Sequence, residues 1–151
     1  MASRRKGRIL AFQALYFWES SNRVPVEELT GFTWLEEEKL VNLDEDIAAF
    51  SRALIAGAIE NIDDIDNMIK SHLDNWDISR LNRVDLAVLR MSVYTLMFQS
   101  DIPPSIVIDE AIGICREFGT DDSFKFINGV LDSIRRALTE CCQKQKEKSC
   151  V

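Results

Sequence analysis

Apolar side chains recur at helical spacing along most of this chain. Between residues 47 and 73 they follow the i, i+3, i+4, i+7 rule, which predicts one helix, the longest of the chain, bent near Gly57 or near Asp63-Asp64. Between residues 84 and 100 almost every position is apolar. A helix that is hydrophobic on all sides, but too short to span a membrane, belongs in the centre of a bundle. The pattern predicts an all-α protein.

Further helical segments are predicted on both sides of these two. One covers residues 4–20, short pieces cover 26–29, 34–40 and 78–82, and a last helix runs over 122–142. The prediction is about seven helices in two packed bundles that form one compact domain. The bundles cover residues 1–74 and 75–143, the second beginning at Trp76, and residues 144–151 form a disordered tail.

The stretch from residue 101 to 122 predicts a helix, a sharp stop and the start of another helix. Pro103-Pro104 suit a first helical turn, which does not use their missing N–H, and Asp101 and Ser105 are suited to capping it. Gly119 is expected to end this helix with a positive φ, and residues 120–122 to begin the next.

Charge is distributed unevenly in this chain of 151 residues with a net charge of −7. Four cations, Arg4, Arg5, Lys6 and Arg8, contribute +4, which leaves −11 for the rest (−7 minus 4). A basic end on an acidic body indicates a local anion or RNA site, but a solvated terminus gives the same pattern. Aromatic residues near basic ones suit single-stranded RNA, because rings stack on exposed bases. Trp18 is expected in the core.

Catalytic and metal chemistry find little support in the sequence. His72 is the only histidine, and nothing around it suggests a nucleophile–base pair. The chain has no GxxxxGK[ST] or GxGxxG motif, and its four cysteines have no zinc spacing and are expected to be free thiols. We expect a protein that is not an enzyme, with no cofactor and no metal. The absence of a long apolar run and of a secretory signal pattern favours a cytoplasmic protein without a membrane segment.

Three segments, in register, resemble the NusB transcription antitermination family over residues 4–138. They are Arg4-Arg-Lys-Gly-Arg8 with Ala11-Phe-Gln-Ala-Leu-Tyr16, then Arg83-Val-Asp-Leu-Ala-Val-Leu-Arg90 with Tyr94, and then Asp101-Ile-Pro-Pro, Ile108-Asp-Glu-Ala, Phe118-Gly-Thr-Asp-Asp-Ser123 and Lys125-Phe-Ile-Asn-Gly-Val-Leu-Asp132. The resemblance implies a NusB-like fold that binds boxA RNA of ribosomal operons together with NusE, a small-subunit ribosomal protein. The assembly would join RNA polymerase and other Nus factors and suppress termination.

The resemblance also implies which residues bind. The RNA side would consist of Arg4, Arg5, Lys6, Arg8, Tyr16 and Lys125. The NusE side would consist of Asp85, Tyr94, Asp122 and Phe126. An internal salt bridge, for example to Arg116, is the alternative for Asp85, and an intramolecular role is favoured for Arg90. Phe124 stands where many family members carry a histidine, so that hydrogen-bond donor is missing here.

Two other functions fit the same sequence. RNA cytosine methyltransferases can carry a similar RNA-binding domain, although this chain has no cofactor loop. The other function is that of a helical adaptor that binds only proteins and whose basic end is merely solvated. A homodimer that covers the basic end is compatible with both the leading and the alternative functions.

Overall fold

The computed structural model describes residues 2–74 and 77–149, with side chains at 4–74 and 77–144. All regular structure in these ranges is helical, which confirms the predicted all-α class. The helices are α1 (Ala2–Ser20), α2 (Val26–Thr30), α3 (Glu37–Val41), α4 (Glu45–Glu60), α5 (Ile62–Ser71), a 3-10 helix (Ile78–Arg80), α6 (Arg83–Phe98), α7 (Pro104–Phe118) and α8 (Ser123–Ser149). No helix in the described ranges is both long and apolar enough to cross a membrane.

Helix α6 lies at the centre of the fold, as its apolar sequence predicts. It packs against α1, α4, α5, α7 and α8. Every residue from Asp85 to Val93 is buried, so all sides of the helix are covered over more than two turns. Trp18 is in the core as predicted, with 5% of its surface exposed. The fold therefore holds the first turn of α6 in a fixed position relative to α1, α7 and α8.

The single long helix predicted over residues 47–73 is in fact two helices. Helix α4 ends at Glu60 and α5 begins at Ile62. Asn61 lies between them with φ −109° and ψ 22°, and its side-chain Nδ2 donates a 2.8 Å hydrogen bond to the Gly57 carbonyl. This bond adds to the 3.1 Å bond from the Asn61 backbone N–H to the same carbonyl, so Asn61 caps the end of α4. The apolar stripe continues across the break, which is why periodicity alone did not reveal it.

Both ends of α7 differ in detail from the prediction. Pro104 occupies the first turn as expected, but the N-cap is Pro103, and no side chain caps the helix; Asp101 and Ser105 do not. Gly119 has φ −95° and ψ −172°, an extended conformation rather than the positive φ predicted. Glycine is needed there for space, because an added Cβ would lie 2.7 Å from the carbonyl oxygen of Cys115.

Helix α8 is the longest helix, with 27 residues, and it extends beyond its predicted end near Cys142. Its backbone is helical through Ser149, so residues 144–149 are not the disordered tail that the sequence predicted. Residues 150–151 and the predicted start of the second bundle at Asn75-Trp76 lie outside the described residues. The division into bundles 1–74 and 75–143 stays a prediction.

Candidate nucleic-acid and partner interface

The basic end of α1 is arranged around the ring of Phe50 on α4. Phe50 packs against Gly7, where an added Cβ would lie 2.4 Å from its Cδ1 atom. The Arg4 and Arg8 guanidinium carbons lie 5.2 and 5.6 Å from the centre of the same ring. Arg4 and Lys6 are exposed, so both can meet an external anion. Cation–π contact orients the arginines without neutralising their charge.

Arg5 is held by a weak surface ion pair. Its Nη2 atom lies 3.2 Å from Glu117 Oε2, and the two side chains are 42% and 51% exposed. Pairs of this kind contribute about 0 to 1 kcal/mol, so a phosphate can replace the carboxylate at small cost. Arg5 therefore remains available for binding.

Arg8 differs from the three cations beside it. It is 9% exposed, and its Nη1 atom lies 3.9 Å from Glu110 Oε2. Burial lowers the pKa of Arg8, and the charge of Glu110 opposes that effect. A side chain in this position is better suited to support Phe50 than to contact RNA.

Tyr16 lies at an exposed aromatic depression between α1, α6 and α7. The depression measures about 170 Å³ and is lined by Phe12, Gln13, Tyr16, Val84 and Phe118; we call it the Tyr16 depression. Tyr16 is 40% exposed and Phe118 is 38% exposed. Phe118 also packs against Phe12, with ring centres 5.1 Å apart. Exposed rings fixed by a packed neighbour make a suitable stacking surface for bases.

Lys125 lies beside a second aromatic ring, that of Phe124, and Arg116 lies beside the same ring. The Arg116 guanidinium carbon is 4.9 Å and Lys125 Nζ is 5.9 Å from the ring centre of Phe124. Phe124 cannot donate the hydrogen bond of a histidine, but it holds two cations at one place. Sequence reasoning missed Phe118 and Arg116 as binding candidates. The available signal was an aromatic and a basic residue in the last turn of α7, directly before Gly119.

Three of the four predicted partner residues line one pocket. Asp85, Asp122 and Phe126 surround a volume of about 230 Å³, which we call the Asp85 pocket. Its other lining residues are Arg80, Leu81, Asn82, Thr120 and Ser123. Asp85 is 8% exposed, and its Oδ1 atom is buried without a hydrogen-bond partner. Burial raises the pKa of the Asp85 carboxyl, and the Ser123 hydroxyl partly opposes this.

The carboxylate of Asp85 makes no ion pair with any described residue, so the alternative of an internal salt bridge to Arg116 is wrong. A buried, unpartnered oxygen in an open pocket is unfavourable unless a donor arrives from outside. The Asp85 pocket is therefore arranged to accept a hydrogen bond.

Tyr94 lies away from the Asp85 pocket. It is nine residues from Asp85 along α6, which is about 180° around a helix of 3.6 residues per turn. Its ring covers Gly57 of α4, where an added Cβ would lie 2.2 Å from the phenolic oxygen, and it stacks on Phe98 at 5.5 Å. The structure gives Tyr94 a role in packing α4 against α6.

Arg90 has the intramolecular role that the sequence favoured. It is 3% exposed, and its Nε and Nη2 atoms donate 2.9 Å hydrogen bonds to the two carboxylate oxygens of Asp66. Its Nη1 atom donates a 3.0 Å hydrogen bond to Glu19. The network ties α6 to α1 and α5 beneath the binding surfaces.

The Tyr16 depression and the Asp85 pocket are neighbours. Val84 lines the first and Asp85 the second, so they flank the first turn of α6. At the junction of α7 and α8, Phe118 lines the Tyr16 depression and Thr120 lines the Asp85 pocket. In the part of the chain with described side chains, no three His, Cys, Asp or Glu residues are placed to hold a metal ion. The arrangement is one of binding surfaces.

Comparisons with known proteins show which proteins this chain is similar to. The Treponema pallidum (strain Nichols) transcription antitermination protein NusB is 51% identical over 134 residues, covering 89% of this chain and 93% of that protein. Its counterpart from Treponema denticola is 52% identical over 132 residues, covering 87% of this chain and 95% of that protein.

Solved structures show the same fold. T. maritima NusB superposes with a TM-score of 0.77 at 37% identity, covering 88% of this chain and 90% of that one. A NusB chain crystallised with NusE and dsRNA superposes with a TM-score of 0.78 at 28% identity, covering 91% of this chain and 98% of that one. The model of the NusB family matches residues 5–136, and the chain belongs to this family.

Proposed function

We propose that this chain is a transcription antitermination factor that binds boxA-type single-stranded RNA of ribosomal operons together with NusE. In this proposal the assembly joins RNA polymerase and other Nus factors, and the chain is a binding protein rather than an enzyme. The similar NusB chain in the crystal structure with NusE and dsRNA supports both partners, since it superposes over 91% of this chain.

The observation that carries the RNA proposal is the Tyr16 depression, together with the exposed cations of α1 and α8. Tyr16 and Phe118 offer two exposed rings on a protein whose net charge is −7. Stacking on such rings contributes about 1 to 3 kcal/mol per base. Arg4, Arg5 and Lys6 supply phosphate contacts from α1, and Lys125 supplies one from α8. With four such contacts, log affinity falls with log salt at a slope of about −3 (four times 0.7).

The Asp85 pocket is the proposed NusE surface. A donor on NusE would satisfy the buried Oδ1 atom of Asp85, and Phe126 would supply apolar contact at the same pocket. Asp122 is exposed at the rim and adds negative charge, which favours a basic group on the partner. Tyr94 is not part of this surface, because it lies on the opposite side of α6.

Fluorescence anisotropy with a labelled boxA-type RNA tests the proposal, with and without NusE. Tyr16→Ala should weaken RNA binding by about 5- to 150-fold, the equivalent of 1 to 3 kcal/mol, whereas Tyr16→Phe should retain most of the affinity. An Arg4→Ala/Arg5→Ala variant should bind more weakly and with a smaller salt slope.

Lys144→Ala is the matched control, because Lys144 is an exposed cation on α8, roughly 28 Å along the helix from Lys125. It should bind RNA as the unchanged chain does. If the chain binds a scrambled RNA as well as boxA RNA, or neither RNA nor NusE, the proposal fails. Binding of NusE without any affinity for RNA would favour the protein-binding adaptor instead.

A further inference from the structure

A third depression lies between the end of α5 and the middle of α8 and shares only Lys125 and Phe126 with the surfaces assigned so far. It measures about 350 Å³, and we call it the His72 pocket. Its lining residues are His72, Leu73, Asp74, Lys125, Phe126, Gly129, Val130 and Ser133. Because Lys125 and Phe126 belong to it, the pocket continues the surface proposed for RNA and NusE.

His72 and Ser133 together keep a hydrogen-bond donor for a ligand. His72 Nδ1 lies 2.7 Å from Ser133 Oγ, and either atom can be the donor, depending on the tautomer. If Nδ1–H donates, the hydroxyl hydrogen of Ser133 is left over. If the hydroxyl donates, Nε2–H of the ring is left over. In both tautomers one donor is not used between the two side chains.

Gly129 leaves room at the pocket without serving the packing of the protein itself. It lies in the interior of α8, and a Cβ built there meets no atom of the described residues within 4 Å. Glycine in a helix interior is less stable than alanine. Gly7 and Gly57 differ, since aromatic rings press on both. An internal reason for glycine is therefore missing at 129, and the open face admits close approach of a ligand.

The cation at the pocket favours an anionic ligand, and one carboxylate at the pocket opposes it. Lys125 supplies the cation, and Lys125 Nζ also lies 5.9 Å from the ring of Phe124, beside Arg116. Asp74, which is exposed, is the carboxylate that lines the pocket. Its charge opposes an anion, so its removal provides a test of opposite sign.

We propose that the His72 pocket holds a phosphodiester group of the bound RNA strand. Lys125 supplies the charge, the His72–Ser133 pair donates a hydrogen bond, and Gly129 allows the sugar–phosphate backbone to approach α8. This inference rests on the proposed RNA-binding function and extends the RNA path from Lys125 along α8.

The test uses Gly129→Leu, which fills the pocket and removes no contact. RNA affinity of the chain without NusE should fall at least tenfold, while the melting temperature is unchanged or higher. Gln143→Leu, an exposed change on the same helix about 21 Å away, should leave RNA affinity unchanged. Asp74→Asn should raise RNA affinity, because it removes a like charge.

The double variant Lys125→Ala/Gly129→Leu should bind about as weakly as the weaker single variant, because both changes act on one phosphate. If the unchanged chain binds boxA RNA and Gly129→Leu binds it equally well, the inference is wrong while the proposed function stands. If Gly129→Leu weakens only NusE binding, the pocket belongs to a protein partner and the inference is again wrong. If the unchanged chain binds no RNA either alone or with NusE, both fail.

Discussion

Replacing Arg90 with methionine should destabilise the protein without changing its RNA-binding surface. Arg90 lies in α6 with 3% of its surface exposed, and it bonds Asp66 through two 2.9 Å hydrogen bonds and Glu19 through one of 3.0 Å. Burial alone lowers the pKa of Arg90, but Asp66 and Glu19 outweigh that effect and raise it. Methionine keeps the apolar volume of the stem and leaves Asp66 without its partner, whereas Glu19 keeps its 3.6 Å ion pair with Arg23.

The magnitude follows from how well the carboxylates are shielded. Removing one partner of a buried ion pair costs about 3 to 5 kcal/mol. The side chains of Asp66 and Glu19 are 15% and 30% exposed, so water can partly replace the guanidinium. We therefore expect a loss of about 3 kcal/mol in the free energy of unfolding, near the lower limit. For a protein of this size, that lowers the melting temperature by about 6 to 12 °C.

Urea unfolding followed by far-UV circular dichroism measures the loss. Arg136→Met is the control, because Arg136 is 71% exposed and bonds only Asp132 on the same helix, so it should lose less than about 1 kcal/mol. Adding Asp66→Asn to Arg90→Met should recover part of the loss, since no charge of that pair then remains unpaired. A loss no larger than that of Arg136→Met, or a change in RNA affinity of the folded protein, would refute the reasoning.

Three further predictions concern single positions. Asp85→Asn should stabilise the protein at neutral pH. The pKa of Asp85 is raised in the folded protein, so the stability that the protonated carboxyl provides is present below the ordinary pKa of aspartate. That stability is lost as the pH rises through the raised pKa. The difference from the unchanged chain in urea unfolding should therefore vanish at acidic pH. Gly119→Ala should lower the free energy of unfolding by about 1 to 3 kcal/mol, because its Cβ would lie 2.7 Å from a backbone oxygen. Burial raises the pKa of the Cys115 thiol to about 12, so iodoacetamide at neutral pH should modify the exposed Cys141 and Cys142 and spare Cys115 until unfolding, as peptide mass mapping would show.

Local pattern predicted the helices well, and it failed where a side chain acted on the backbone. The helical class, the buried α6 and the core position of Trp18 followed from apolar spacing. The break at Asn61 was predicted only as a bend near Gly57 or Asp63-Asp64, because the asparagine side chain that caps α4 lies within an uninterrupted apolar stripe. The extended φ of Gly119 also escaped, since a helix-ending glycine usually has positive φ, and only the position of the Cys115 carbonyl shows the steric reason.

The candidate site was predictable only in part. Asp85, Asp122 and Phe126 meet at one pocket as the family resemblance implied, although they are distant in sequence. Tyr94 does not join them, because it lies nine residues from Asp85 on α6 and therefore on the opposite side of that helix, a separation that the spacing alone could have shown. Arg8 is basic like its neighbours, and its burial depends on Phe50, which is equally remote. Side-chain exposure at a helix crossing requires the three-dimensional fold.

The position of α6 makes the two proposed binding events interdependent. Its first turn contributes Val84 to the Tyr16 depression and Asp85 to the adjacent pocket. The last residue of α7, Phe118, lines the first of these places, and Thr120 in the following turn lines the second. Because packing already holds this turn in place, NusE at Asp85 and RNA at Val84 would lie side by side, and contact between them would strengthen the binding of both. Linkage then requires that RNA strengthens NusE binding by the factor by which NusE strengthens RNA binding. This equality holds for every folded variant, so the two factors should also agree in Arg90→Met, and a difference between them would show that one of the measurements is not at equilibrium.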